Sequence, residues 1–383
     1  MTFDGSAIKA LLDDAVSKGV VHGIAAVVVD RSGPLFHHAV GEAGRQTMFR
    51  NASMTKAVAT TAALQFVEKG LLSLDATVES ILPEFGQLQV LEGFDGGKPC
   101  LRPPASRATV RQLMTHTAGL GYFFLNEKLL RYHELTGEPH PLTGLKRSLS
   151  APLVNDPGTA WEYGASTDWL GLIVEKLSGQ SLGSYLKEHV YGPLGMNDST
   201  FTPSAEQRGR LMRVMQRQAD GTLAPSALDL PPTSEWDAAG HGSYGTVQDY
   251  GRFLQAWLND GAGTLEPATV QMALQNHLGP IKLPELMKST LPGLSNDVPA
   301  APVPQGWGLG FHLTLDDVPG MRGNGTADWA GVFNSYYWID HSKGIGAVLM
   351  TQLLPFFDMP VVETLIGFET AVYQQVGAAV PAA

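Results

Sequence analysis

Three serines in this 383-residue chain stand three positions ahead of a lysine: Ser6 before Lys9, Ser53 before Lys56 and Ser184 before Lys187. On a helix, residues i and i+3 share a face one turn apart, so such a lysine can reach the serine hydroxyl and take its proton. Context separates the three pairs. Ser6 and Ser184 fall in amphipathic segments whose lysines read as solvated. Ser53 opens a segment of Ala, Val, Thr, Leu and Phe that runs to Lys69, so Lys56 would enter a packed environment. A helix N-terminus adds free N–H groups and partial positive charge. That charge and burial both disfavour a protonated lysine and favour its use as a base. On the motif alone, an N-capping serine and a surface lysine remain the simpler reading.

The elements around Ser53 follow from periodicity. Ile8, Leu11, Leu12, Ala15 and Val16 recur at helical spacing near the N-terminus. Gly23–Asp30 and Leu35–Gly41 read as strands joined by a turn at Arg31-Ser32-Gly33-Pro34. The Ser53 helix closes at Gly70, in a left-handed C-cap position. Further helices are expected over Ser166–Ser178, Leu182–Val190 and Thr246–Asn259. Residues 280–304 carry six prolines and no clear period, and read as a loop. Strand character returns in Gly306–Leu315, Val332–Asp340 and Gly344–Gln352, followed by a helix over Val361–Val376.

This order predicts an α/β (α+β) architecture. Residues 1–75 and 301–383 would form one antiparallel sheet flanked by the terminal helices. Residues 76–300 would form a mainly helical inserted domain, with the site in the crevice between the two.

Composition narrows the function. The chain carries 26 basic and 37 acidic residues, a net charge of −11, which argues against a nucleic-acid partner. A single cysteine, Cys100, rules out an internal disulfide framework and fits a reducing compartment. The N-terminus lacks the basic start and apolar run of a secretion signal, and no apolar stretch suits a membrane span. A cytoplasmic, soluble protein is the expectation. No histidine spacing suggests a metal site and no cofactor is expected. Gly240-His241-Gly242-Ser243-Tyr244-Gly245 fits G-x-G-x-x-G, but the segment before it contains two prolines and two acids and is no Rossmann strand.

The S-x-x-K pattern is one of the signatures of penicillin-binding proteins and β-lactamases, and further segments extend that likeness. Pro157-Gly158-Thr159-Ala160-Trp161-Glu162-Tyr163, Leu113–Leu120, Lys69–Asp75 and Pro193–Met196 occur in the order of the class C β-lactamase-like family. The chain resembles that family from about residue 5 to 376. The resemblance implies the β-lactamase/transpeptidase-like fold, with Ser53 as acylated nucleophile and Lys56 and Tyr163 as its proton partners. Trp329-Ala330-Gly331 stands just before the aromatic strand, where the family has K-T-G. That variant resembles family VIII carboxylesterases. Gly331 would let the strand approach the nucleophile, and the N–H groups of Ser53 and Val332 would form the oxyanion hole. Trp329, Gly331, Tyr122, His241 and Trp236 are candidate substrate contacts, with Tyr122 on an apolar wall beside Phe123 and Phe124.

Two departures steer the substrate. The K-T-G lysine is Trp329, and the family's Y-x-N is here Tyr163-Gly164-Ala165, without the amide that helps hold a peptide bond or β-lactam. Both losses favour small neutral esters over penicillins. The expected activity is a serine carboxylesterase acting on a small-molecule ester. An amidase or D-aminopeptidase, a weak β-lactamase and an acyltransferase are rivals within the fold. A once-acylated β-lactam or peptidoglycan sensor is the non-enzymatic alternative. Oligomeric state is left open.

Overall fold

The apolar spacing near the N-terminus forms helix α1 (Ser6–Ser17), which buries Ile8, Leu12 and Ala15. In the computed structural model, which describes residues 3–228, 230–231 and 233–379 (the side chains of 377–379 excepted), two strands follow directly. These are β1 (Gly23–Asp30) and β2 (Pro34–Gly41). The serine segment makes a short 3₁₀ turn, Ala52–Met54, before helix α2 (Thr55–Glu68). Gly70 then adopts φ +68°, the left-handed conformation expected of it.

The inserted region contributes α3 (Ser166–Ser178) and α4 (Val247–Leu258), the latter N-capped by the Thr246 hydroxyl. Leu182–Leu186 is helical and continues as a π-helical turn over Lys187–Tyr191. The proline-rich stretch is mostly loop, with a two-residue pairing of Val298–Pro299 on Leu286–Met287. The C-terminal part adds five strands: β3 (Gln305–Trp307), β4 (His312–Thr314), β5 (Ala327–Gly331), β6 (Ser335–Asp340) and β7 (Ile345–Met350). Helix α5 (Met359–Ala379) closes the chain. Residues 1, 2 and 380–383 of the expected terminal domain lie outside the described residues.

The seven strands form one antiparallel sheet in the order β3-β4-β5-β6-β7-β1-β2. β1 shows why its sequence is apolar throughout. Ala25, Val27 and Val29 face an inner core with α2 and α4, whereas Ile24, Ala26 and Val28 face an outer layer with α1 and α5. A strand covered on both faces has no solvent side to alternate with. α4 lies close against it because Gly251 has no side chain: a Cβ there would sit 2.8 Å from Val27 Cγ1.

Two strand expectations need correction. Gly306–Leu315 is not one strand; it folds back at Gly310, whose φ of +88° makes the hairpin between β3 and β4. Trp329-Ala330-Gly331 precedes the aromatic strand but is itself the end of another, β5, paired residue for residue with Tyr337, Tyr336 and Ser335. The expected strand over Val332–Asp340 starts only at Ser335, after a turn in which Asn334 takes φ +57°.

Candidate active site

Exposure separates the three S-x-x-K pairs. Lys9 and Lys187 are exposed, while Lys56 is only 2% exposed. Ser53 itself is half-buried. The preceding residue, Ala52, has φ +45°, a left-handed conformation that costs a non-glycine residue about 1–3 kcal/mol. Surrounding structure holds it there. Phe49–Arg50 pairs with Tyr244–Gly245, and the Asn51 N–H bonds the Ser243 carbonyl at 2.9 Å. Asn51 Nδ2 and Thr55 Oγ1 both meet the Ser243 hydroxyl, and Tyr250 donates to the Met54 carbonyl at 3.0 Å. The glycine-rich loop at 240–245 is thus the clamp that fixes the serine turn, a role its false dinucleotide pattern concealed.

Lys56 Nζ donates to three oxygens: Ser53 Oγ at 3.1 Å, Tyr122 Oη at 3.1 Å and the Gly240 carbonyl at 2.7 Å. Three donors are all an ammonium has. Lys56 therefore meets Tyr163 through its ring, with Nζ 4.8 Å from the centroid, and not through its hydroxyl. That hydroxyl instead accepts from Trp329 Nε1 at 2.9 Å. Tyr122, expected on an apolar wall, is buried and turns its hydroxyl to the lysine while its ring stacks on Phe124.

Gly331 brings β5 against the serine turn: a Cβ at this position would lie 2.6 Å from the Asn51 carbonyl oxygen. Val332 follows at the strand's end, packed against the inner core, so both backbone groups expected to bind an oxyanion border the same turn.

Other expected contacts divide. His241 is buried beside the Gly240 carbonyl that Lys56 uses, and its imidazole is pushed down to about 3 by burial and by the Lys56 charge. It is neutral at working pH. Trp236 packs near the His241 ring, but it lines a polar cleft of about 410 Å³ with Lys146, Glu175 and Lys187. None of Ser53, Lys56 or Tyr163 borders that cleft.

Two residues at the site have no role assigned by the sequence. His116, at φ +55°, packs its ring 5.0 Å from that of Tyr163, and burial and the Lys56 charge hold it well below the usual histidine range. Asp168, fully buried on α3, accepts the Gly240 N–H at 2.6 Å. Burial pushes its carboxyl up to about 6 against the pull of Lys56. His116 lies inside Leu113–Leu120 and Asp168 follows Pro157–Tyr163, two segments that carry the family likeness and point to this neighbourhood. Among the described residues, no group of metal-ligating side chains occurs, and no helix is long and apolar enough to cross a membrane.

A nucleophilic hydroxyl, a buried amine on it and a phenol beside them are the parts of an acyl-transfer site. Residues 8–369 match the Beta-lactamase family model. The chain is 34% identical over 346 residues to the monacolin J acid methylbutanoyltransferase of Aspergillus terreus, covering 86% of this chain and 82% of the relative. It is 33% identical to the lovastatin esterase of Penicillium rubens, covering 78% of each. A mutant simvastatin synthase from Aspergillus terreus superposes with a TM-score of 0.85 at 28% identity, over 97% of this chain and 95% of that one. The chain belongs to the Beta-lactamase family, and its fold is the β-lactamase/transpeptidase-like fold.

Proposed function

We propose that this member of the Beta-lactamase family is a serine carboxylesterase that forms an acyl-enzyme on Ser53 from a small, neutral, short-chain ester. The observation that carries this is the buried Lys56 amine on the Ser53 hydroxyl at 3.1 Å. In its free-amine form Lys56 keeps its two N–H bonds on Tyr122 and the Gly240 carbonyl, turns its lone pair to Ser53 and takes the serine proton as Ser53 Oγ attacks the ester carbonyl. The oxyanion sits between the N–H groups of Ser53 and Val332. Tyr163 protonates the departing alcohol, with its oxygen held by the Trp329 indole N–H. Water then attacks the acyl-enzyme by the reverse route and frees the acid.

Trp329 supports the neutral substrate. Where the family's K-T-G lysine would meet a substrate carboxylate, an uncharged indole stands and its one donor is committed to Tyr163. The similarity to both an esterase and an acyltransferase favours a second reading, in which an alcohol replaces water as acceptor. The two share every step up to the acyl-enzyme.

A substrate panel tests the reading. p-Nitrophenyl acetate and butyrate should give a burst of p-nitrophenol followed by steady turnover. The octanoate should be slower, and nitrocefin and a D-alanyl p-nitroanilide about 100-fold or more slower. Added alcohols that collect the acyl group in preference to water would move the protein to the transferase reading. Nitrocefin turnover matching that of the esters would contradict the neutral-ester assignment.

A further inference from the structure

Asp168 takes no part in the steps above, yet it is fully buried and ends at the same glycine as Lys56. Its Oδ1 accepts the Gly240 N–H at 2.6 Å, and the carbonyl of that glycine accepts from Lys56 Nζ at 2.7 Å. Its Oδ2 has no partner at strict hydrogen-bond geometry, but the carboxylate interacts with the Tyr122 hydroxyl, which accepts from Lys56 at 3.1 Å. The convergence depends on Gly240 having no side chain. A Cβ there would lie 2.6 and 2.8 Å from the two carboxylate oxygens and 2.8 Å from Tyr122 Oη. Carboxylate and amine are thus joined by two routes, one through a peptide unit and one through a phenol.

The surrounding groups leave Asp168 as the counter-charge. A buried carboxylate is costly unless an opposite charge offsets it, and Lys56 is the cation that attracts this one. His116 and His241 are kept neutral, and burial keeps the proton on Tyr122. Tyr163 presents its ring face to the amine. Because its carboxyl titrates at about 6, Asp168 is ionised at neutral pH.

We propose that Asp168 is a positioning residue for Lys56: acting through the Gly240 peptide and the Tyr122 hydroxyl, its carboxylate fixes the amine against Ser53 and balances the charge that amine gains. This rests on the reading of Ser53 and Lys56 given above. In that step the Ser53 O–H bond breaks and a Lys56 N–H bond forms, while Asp168 stays ionised throughout.

Asp168→Asn keeps an acceptor for the Gly240 N–H, removes the charge and replaces the oxygen that faces the Tyr122 hydroxyl with an amide donor. Without a carboxylate facing it, the amine is held less firmly against Ser53 and the charge it gains in the transition state is left unbalanced. With p-nitrophenyl butyrate, the alkaline plateau of kcat/KM should fall about 10- to 100-fold. The wild type should lose activity through an acid limb near pH 6 as Asp168 takes up a proton, and the variant should lack that limb. A purely structural role would lower the rate with the limb unmoved, and that outcome, or an unchanged rate, overturns the proposal. Tyr122→Phe removes one route and should give a smaller loss in rate. In the double variant the limb should stay absent, as in Asp168→Asn. Should Asp168→Asn not fold, Tyr122→Phe decides, and wild-type behaviour in it would overturn the proposal. Intact mass of the wild type separates the two layers: no acyl adduct means the Ser53 reading fails, whereas an adduct with an unmoved limb means only this inference does.

Discussion

On the outer face of the sheet, Arg322 is gripped by two carboxylates; on the inner face, Lys56 has none within ion-pair distance among the described residues. Arg322 Nε bonds Glu369 at 2.5 Å, its Nη1 bonds Asp328, and its guanidinium lies over the Trp338 ring. His312 adds a second contact to Asp328 at 3.0 Å. Although burial works against both charges, the carboxylates push the guanidinium up, and His312 and Arg322 hold Asp328 below the usual range. The Lys56 cluster is built the other way. Its amine bonds only neutral oxygens, and His116 and His241 each leave Nδ1 without a partner. A saturated network fixes structure, whereas one with spare valences and a strained backbone at Ala52 is ready to exchange protons. Adjacent residues of β5 serve the two: Asp328 faces outward and Trp329 inward, as strand alternation requires.

The sharpest way to break this contrast is to remove each cation. Lys56→Ala should lower kcat/KM by about 1,000-fold or more while the protein remains folded. Arg322→Met should do the reverse. Glu369 would lose its cation and Asp328 would keep only His312, costing about 3–5 kcal/mol by urea denaturation, with little change in kcat for the folded fraction. Activity loss without destabilisation in Arg322→Met would erase the distinction between the clusters. Next in size is Trp329→Phe, which keeps an aromatic ring but drops the N–H to Tyr163. A loss of about 10-fold in kcat is expected, the scale of one hydrogen bond.

The smallest effect belongs at the surface. The Arg102 guanidinium and the Ala105 N–H hold Asp156 down at about 2. This pair therefore stabilises the protein above the unfolded carboxylate value near 4 and loses its effect as pH falls towards 2. Melting temperatures of wild type and Arg102→Met should differ slightly at pH 7, and the gap should narrow at pH 3. A gap that widened in acid would show that the ion pair is not its source.

Local chemistry was legible in the sequence where neighbours in the chain decide it. The helix after Ser53, the C-cap at Gly70 and the strand over Gly23–Asp30 follow from local residue pattern. Motif order puts Ser53, Lys56 and Tyr163 forward, and the structure brings the three together. The rest depends on distant segments meeting. Nothing near Tyr122 shows that its hydroxyl will meet a lysine 66 positions earlier, through a loop that brings in Gly240. Trp329 read as a substrate contact because its hydrogen bond is to a residue 166 positions away. β5 escaped notice because Ala-Asp-Trp-Ala-Gly mixes an acid and small residues, and it is a strand only because Arg322 and Tyr163 receive its two faces.

The most direct test of the account is intact-mass analysis of wild type and Ser53→Ala after brief exposure to p-nitrophenyl butyrate. The wild type should gain one butyryl group, localised to the peptide containing Ser53. The variant, with an unchanged melting temperature, should gain none. Acylation of Ser53→Ala at the wild-type rate would contradict the assignment of the nucleophile and the mechanism built on it.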